Sequence, residues 1–337
     1  MTGPTAREGC PKRMQFGPCG GVRADLSCEM APTPCPFATG RPEAVVWPGA
    51  SSTERPLELV EAAAGRPVVL TDLTVTPFSA ESVTAVTGLL AGSCDGLLVG
   101  EHQSRPDFPP TLMAALIRDA GGSAWITLTC RDRNRVVLEQ ELAGLAFAEV
   151  AGVLAVTGDG RAQGVRPDVT QVFDIDSTWL AWLAAAAGLP VAVAESPDAP
   201  PLPLRPHRLR QKERAGADLA VLNHVGSPER LDRFARAARA AGVTIPLIAG
   251  VAVYTDERSA AVLSLPGLHL DRRQVAAVLE APDPVAAGIA SAVAEAKALL
   301  AIDGVVGVNL SGLASGRGER FAAEIKAAVG QEIRGER

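Results

Sequence analysis

The chain has 337 residues, enough for one barrel-sized domain with an appendage or for two ordinary domains. Its formal net charge of −6 lacks the basic excess that following nucleic-acid phosphates requires, although local arginines can still hold small anions. Aromatic residues make up only 4%, so the core must be built mainly from Ala, Val and Leu, and no stretch reaches the roughly 20 apolar residues of a membrane span.

Residues 1–50 place Cys10, Cys19, Cys28 and Cys35 among Pro and Gly, with too few apolar side chains for a core of their own. Such a segment folds only with a staple or against a larger neighbour. No apolar leader precedes the cysteines, which implies a cytoplasmic protein and favours metal over disulfides. Four thiolates can close a tetrahedral zinc shell with Zn–S bonds of ~2.3 Å. The same set could hold an iron–sulfur cluster, and the plain alternative is four reduced, unligated thiols. Residues 48–56 read as a linker, and 51–66 are taken as linker and barrel entry between the 1–50 module and the next domain.

From Pro67 short apolar runs alternate with Ala-rich amphipathic stretches. Strands are expected at 68–72, 96–99, 124–129, 153–157, 191–194, 219–222, 246–250 and 305–310. Helices are expected at 80–91, 110–119, 136–149, 177–187, 209–215, 228–241, 256–263, 284–300 and 319–329. Eight strand–helix units over 67–332 are the tally of a (β/α)8 TIM barrel, with a doubly wound open sheet as the other candidate. No glycine-rich dinucleotide turn follows the first strand; the loose match Gly158-Asp159-Gly160 with Gly164 comes after the fourth.

In a barrel the carboxyl ends of the strands share one mouth. That mouth would receive Asp72, Glu101-His102-Gln103, Thr129 with Arg131 and Asp132, Asp159, Glu195, Asn223-His224 and Asn309-Ser311. Carboxylates and histidines in such a ring suit acid–base chemistry or charge stabilisation without naming a reaction. Each residue also has a plainer reading. Asp132 can cap the following helix and Asp159 can be turn chemistry. Arg131, Arg133 and Arg135 can be helix-terminal charges or can meet the carboxylates of a ligand. His102 and His224 can be polar rim, Lys212 solvated and Glu195 surface, while Trp179 and Trp182 read as core or a subunit contact.

Cys10-Pro11-Lys12-Arg13-Met14, Gly17-Pro18-Cys19-Gly20-Gly21, Cys28-Glu29 and Cys35 together resemble the cysteine-rich methylenetetrahydrofolate reductase C-terminal module. The barrel resembles the reductase itself through Leu128-Thr129-Cys130-Arg131-Asp132-Arg133-Asn134, Val156-Thr157-Gly158-Asp159 and Gln211-Lys212-Glu213-Arg214-Ala215-Gly216-Ala217-Asp218. The resemblance implies zinc on the four cysteines and reduction of 5,10-methylenetetrahydrofolate to the 5-methyl form with NAD(P)H. It implies that Asp159 stabilises a 5-iminium cation, that Asp72, where the family has Glu, assists ring opening, and that Asn223, where it has Gln, binds the pterin. Glu101, Gln103 and Arg131 are then expected at the substrate, and Thr129, Asp159 and Lys212 at the cofactor, Lys212 on flavin phosphates. Several flavin contacts are replaced, by Val99-Gly100, Thr127 and Ala194-Glu195-Ser196, so FAD use stays open beside direct hydride transfer from the nicotinamide. The other readings are a folate-dependent one-carbon transferase and a non-catalytic, metal-bearing partner subunit. A homo-oligomer, or a redox or methyl-transfer partner protein, is also implied; nucleic acid and membrane are not.

Overall fold

The eight apolar runs become eight parallel strands: β1 (Val68–Asp72), β2 (Gly96–Val99), β3 (Ala124–Thr129), β4 (Gly152–Val156), β5 (Val191–Glu195), β6 (Leu219–Leu222), β7 (Leu247–Val253) and β8 (Val305–Gly312). Each pairs with the next, and β8 closes on β1 with Gly307 opposite Val68. This computed structural model describes residues 6–38, 57–161, 164–263, 270–313 and 315–335; the linker expected at 48–56 lies outside them. Closure excludes the open sheet. It also explains why the runs are apolar throughout rather than alternating, because one strand face points into the barrel and the other meets the helices. Val68, Leu70, Trp125, Leu154, Leu219 and Ile248 fill the interior. Val69, Leu97, Ile126, Leu128 and Leu180 pack in the outer layer between strands and helices.

The helices are α1 (Glu58–Ala63), α2 (Ala80–Leu90), α3 (Pro110–Asp119), α4 (Arg135–Phe147), α5 (Ser177–Ala186), α6 (Arg205–Arg214), α7 (Pro228–Ala240), α8 (Glu257–Val262), α9 (Arg272–Leu279), α10 (Pro284–Leu300) and α11 (Glu319–Arg334). Expectation missed α1 and α9 and began α6 four residues late. Asp132 does not cap α4. Asn134, directly before the first helical residue, does so by accepting the Val137 N–H at 3.1 Å, while Asp132 pairs with Arg131 and Arg161. Trp179 is core, stacked edge-on with Trp182 at 6.2 Å. Among the described residues no helix is long and apolar enough to cross a membrane.

Residues 6–38 contain turns and one isolated bridge, Ser27 to Pro34. They pack against the barrel. Met14, Phe16 and Val22 are buried, Phe16 lying 6.4 Å from the Trp179 ring. The polar anchor is Asp176, fully buried before α5. Its Oδ1 accepts the N–H groups of Thr178 and Trp179 as a helix cap, and its Oδ2 accepts those of Gln15 and Phe16 at 3.0 and 3.2 Å. Asp176→Ala removes a cap and two charge-assisted hydrogen bonds at once. It should cost about 3 kcal/mol and expose residues 6–38 to protease. Denaturant unfolding with limited proteolysis checks this; parental stability and protection would remove Asp176 as the anchor.

Candidate active site

A cavity of about 430 Å³ opens at the carboxyl ends of the strands, and Asp72, Glu101, Thr129, Arg131, Asp159, Lys212 and Asn223 all line it. Gln103 instead lines an adjoining cavity of about 310 Å³ on the β2–β3 side, which shares Glu101 and Arg131 with the first. The sequence-expected residues are thus brought together, but what each is free to do differs.

Asp72 ends β1. Its Oδ1 accepts a hydrogen bond from Asn309 Nδ2 of β8 at 3.0 Å, and Lys326 of α11 donates to its backbone carbonyl at 2.7 Å. Burial raises the Asp72 pKa more than the Lys326 charge and the Asn309 bond lower it, so the carboxyl keeps its proton beyond the ordinary range. Across the mouth, Asp159 is exposed at the tip of the turn after β4, following Gly158 in a left-handed conformation (φ +88°). Asn223, after β6, is also exposed, and its Nδ2 donates to the Ser196 hydroxyl at 2.7 Å.

Glu101, Arg131 and Lys212 also brace the mouth of the cavity they line. One Glu101 oxygen accepts from the Thr129 N–H and hydroxyl and the other pairs with Arg133. Arg131 is buried and joins three turns by donating to Asp132 at 2.9 Å, to the His102 carbonyl at 3.2 Å and to the Asp159 carbonyl at 3.5 Å. Lys212 Nζ lies 2.9 Å from Glu195 and also donates to the Ala194 carbonyl. Burial lowers the Lys212 pKa to about 8, against the pull of Glu195.

Glu195 is correspondingly not surface: it is buried, with Arg205 3.4 Å away on the other oxygen. Burial alone would raise its pKa, but Lys212 and Arg205 hold it below the ordinary value. His102 lies at the exposed rim as expected, whereas His224 is buried with Nε2 2.6 Å from Glu295. Sequence reasoning missed Lys326 and Lys12, which lines the same cavity from the amino-terminal segment. It also missed the cationic face of α6, for which Arg205, Arg208 and Lys212 at helical spacing were the available signal.

The four-cysteine zinc shell is not seen among the described residues. Among the described residues no three His, Cys, Asp or Glu side chains are placed to hold a metal ion, which applies equally to an iron–sulfur cluster. Cys10, Cys28 and Cys35 lie within electrostatic reach of one another. Cys19 is drawn aside, its thiol donating to Glu29 at 3.4 Å.

A closed eight-stranded parallel barrel with carboxylates at its carboxyl mouth is the architecture of a (β/α)8 protein whose site lies between the strand-end turns. Residues 100–264 of this chain match the methylenetetrahydrofolate reductase family model, a stretch that carries Glu101, Arg131, Asp159, Lys212 and Asn223. Among solved structures, an uncharacterized protein from Clostridium thermocellum that binds two copies of 5-methyl-5,6,7,8-tetrahydrofolic acid superposes with a TM-score of 0.57. It is 12% identical, with 83% of this chain and 100% of that one covered. A tryptophan synthase chain from M. tuberculosis reaches a TM-score of 0.47 at 15% identity, covering 82% of this chain and 96% of its own. The likeness to the Clostridium thermocellum protein is of fold. No curated protein matches the sequence.

Proposed function

We propose that the chain reduces 5,10-methylenetetrahydrofolate to 5-methyltetrahydrofolate with NAD(P)H. The observation that carries this reading is the placement of Asp72, Asp159 and Asn223 on one cavity. The family match across residues 100–264 and the folate-binding barrel of like fold support it. Opening the methylene bridge breaks the bond from the methylene carbon to N10, which leaves with a proton, and generates a cation at N5. Asp72, whose pKa burial raises, is the acid that supplies that proton. Asp159 carries a negative charge to the developing cation, and the Asn223 amide orients the pterin. NAD(P)H supplies the hydride that the methylene carbon accepts. With Lys212 bound to Glu195, no step is assigned to a flavin.

The test is nicotinamide oxidation by the purified, air-free protein given methylenetetrahydrofolate, measured across pH. Turnover without flavin bands in the visible spectrum is expected, with the rate falling on the alkaline side as Asp72 loses its proton. In Asp72→Asn the rate should fall about tenfold or more, and the alkaline limb should vanish. Folate binding without nicotinamide oxidation would overturn the reductase in favour of a one-carbon transferase. Binding of neither, with a second protein copurifying, would favour a partner subunit.

A further inference from the structure

The turn that bears Asp159 is gripped from outside the barrel. Lys12 Nζ donates to the Gly158 carbonyl at 2.7 Å and pairs with Glu29 on the same amino-terminal segment. The Lys12 side chain is 3% exposed, with the Phe173 ring 5.7 Å from its ammonium. On the other side of Asp159, Met30 packs directly on Gly160, where a Cβ would stand 2.5 Å from Met30 Cγ and 2.9 Å from its sulfur. Only glycine permits that approach. The two residues flanking Asp159 are therefore held by Lys12 and Met30.

The segment that supplies this grip is fixed independently of the turn. Asp176 holds Gln15 and Phe16, while Arg205 of α6 donates to the Cys19 carbonyl at 2.8 Å and the Pro18 carbonyl at 3.4 Å. Pro18, Cys19 and Gly20 then line the same cavity as Asp72 and Asn223. An apolar side chain at position 12 would fill the space with less desolvation cost than a buried ammonium. The ammonium adds a hydrogen bond that sets the peptide before Asp159 and a positive charge within electrostatic reach of that carboxylate.

We propose that the cysteine-rich segment is a wall of the candidate active site, in which Lys12 and Met30 clamp the Gly158–Gly160 turn and so present Asp159 to the substrate. Lys12 is a positioning residue, and what Asp159 does once presented rests on the reductase reading above.

The experiment uses the full-length chain and the variants Lys12→Met, Lys12→Arg and Met30→Ala, the last as the second probe if Lys12→Met does not fold. Hydrogen exchange of a peptide spanning residues 156–161 should quicken roughly tenfold in Lys12→Met and in Met30→Ala, while peptides from α10 and α11 stay unchanged. In the nicotinamide assay kcat for Lys12→Met should fall roughly tenfold with the NAD(P)H KM within about twofold of the parent, and Lys12→Arg should recover most of the loss. Unchanged exchange at the turn overturns the clamp whatever the activity. Faster exchange with parental kcat overturns the positioning role. If the parent oxidises no nicotinamide, the reductase reading alone fails, and quickened exchange still supports the clamp.

Discussion

Glu195→Gln should be the most destabilising single change at the mouth, costing about 3–5 kcal/mol and lowering the unfolding temperature by roughly 5–10 °C. The carboxylate lies between Lys212 at 2.9 Å and Arg205 at 3.4 Å, all three buried. Removing its charge leaves two cations in a low-dielectric site, and it is the uncompensated charge that is costly. The pH dependence gives the sign. Glu195 has a folded pKa below its unfolded value, so its contribution is present above the ordinary glutamate range and is lost as pH falls through the folded value. Lys212 is lowered to about 8 by burial, so above that pH the unfolded chain binds more protons than the folded one and stability rises. Without Glu195 the lysine sheds its proton at lower pH still. The deficit of the variant should therefore be larger below about pH 8 than above it. Denaturant melts of parent and variant on both sides of that pH decide the matter; equal stability at every pH would mean that Glu195 is not the counter-charge for α6.

The strands were legible because burial on both faces leaves an uninterrupted apolar run, a signal that needs no partner to be seen. The places where reading failed are those where meaning comes from another element. Gly250 looked like the end of β7, yet the strand runs on to Val253. A Cβ at that position would lie 2.7 Å from the Leu222 carbonyl, so the glycine serves close approach to β6 rather than a turn. The start of α6 was hidden by Arg205-Pro206-His207-Arg208, a polar run with proline in the first turn, where it is tolerated. Asp72, Asp159 and Asn223 could be placed at the mouth because strand-end positions follow from the strand tally. Lys12 could not: it meets Gly158 across 146 residues, and only the fold brings them together. The cysteines are the opposite case. Their clustering in sequence suggested one shell, but Cys19 follows the cavity wall and bonds Glu29 instead.

Asp159→Asn should lower turnover by roughly tenfold to a hundredfold, a loss of ~1.4–2.8 kcal/mol of transition-state stabilisation, with folding intact. The side chain is exposed at the tip of its turn, so the substitution opens no cavity and leaves no buried charge behind. What it removes is one negative charge at the cavity mouth. In the proposed reaction positive charge exists at N5 only between opening of the methylene bridge and arrival of the hydride; the 5-methyl product is neutral there. The amide should thus reduce kcat and kcat/KM together, the mark of an interaction made only on the way through the reaction. Affinity for 5-methyltetrahydrofolate should stay within about twofold of the parent, because Asn keeps the shape and hydrogen-bonding reach of Asp while lacking its charge. Steady-state rates together with a product-binding titration separate the cases. An unchanged rate would dismiss Asp159 as the group that stabilises the cation, and an equal loss in product affinity would make it a folate-binding residue.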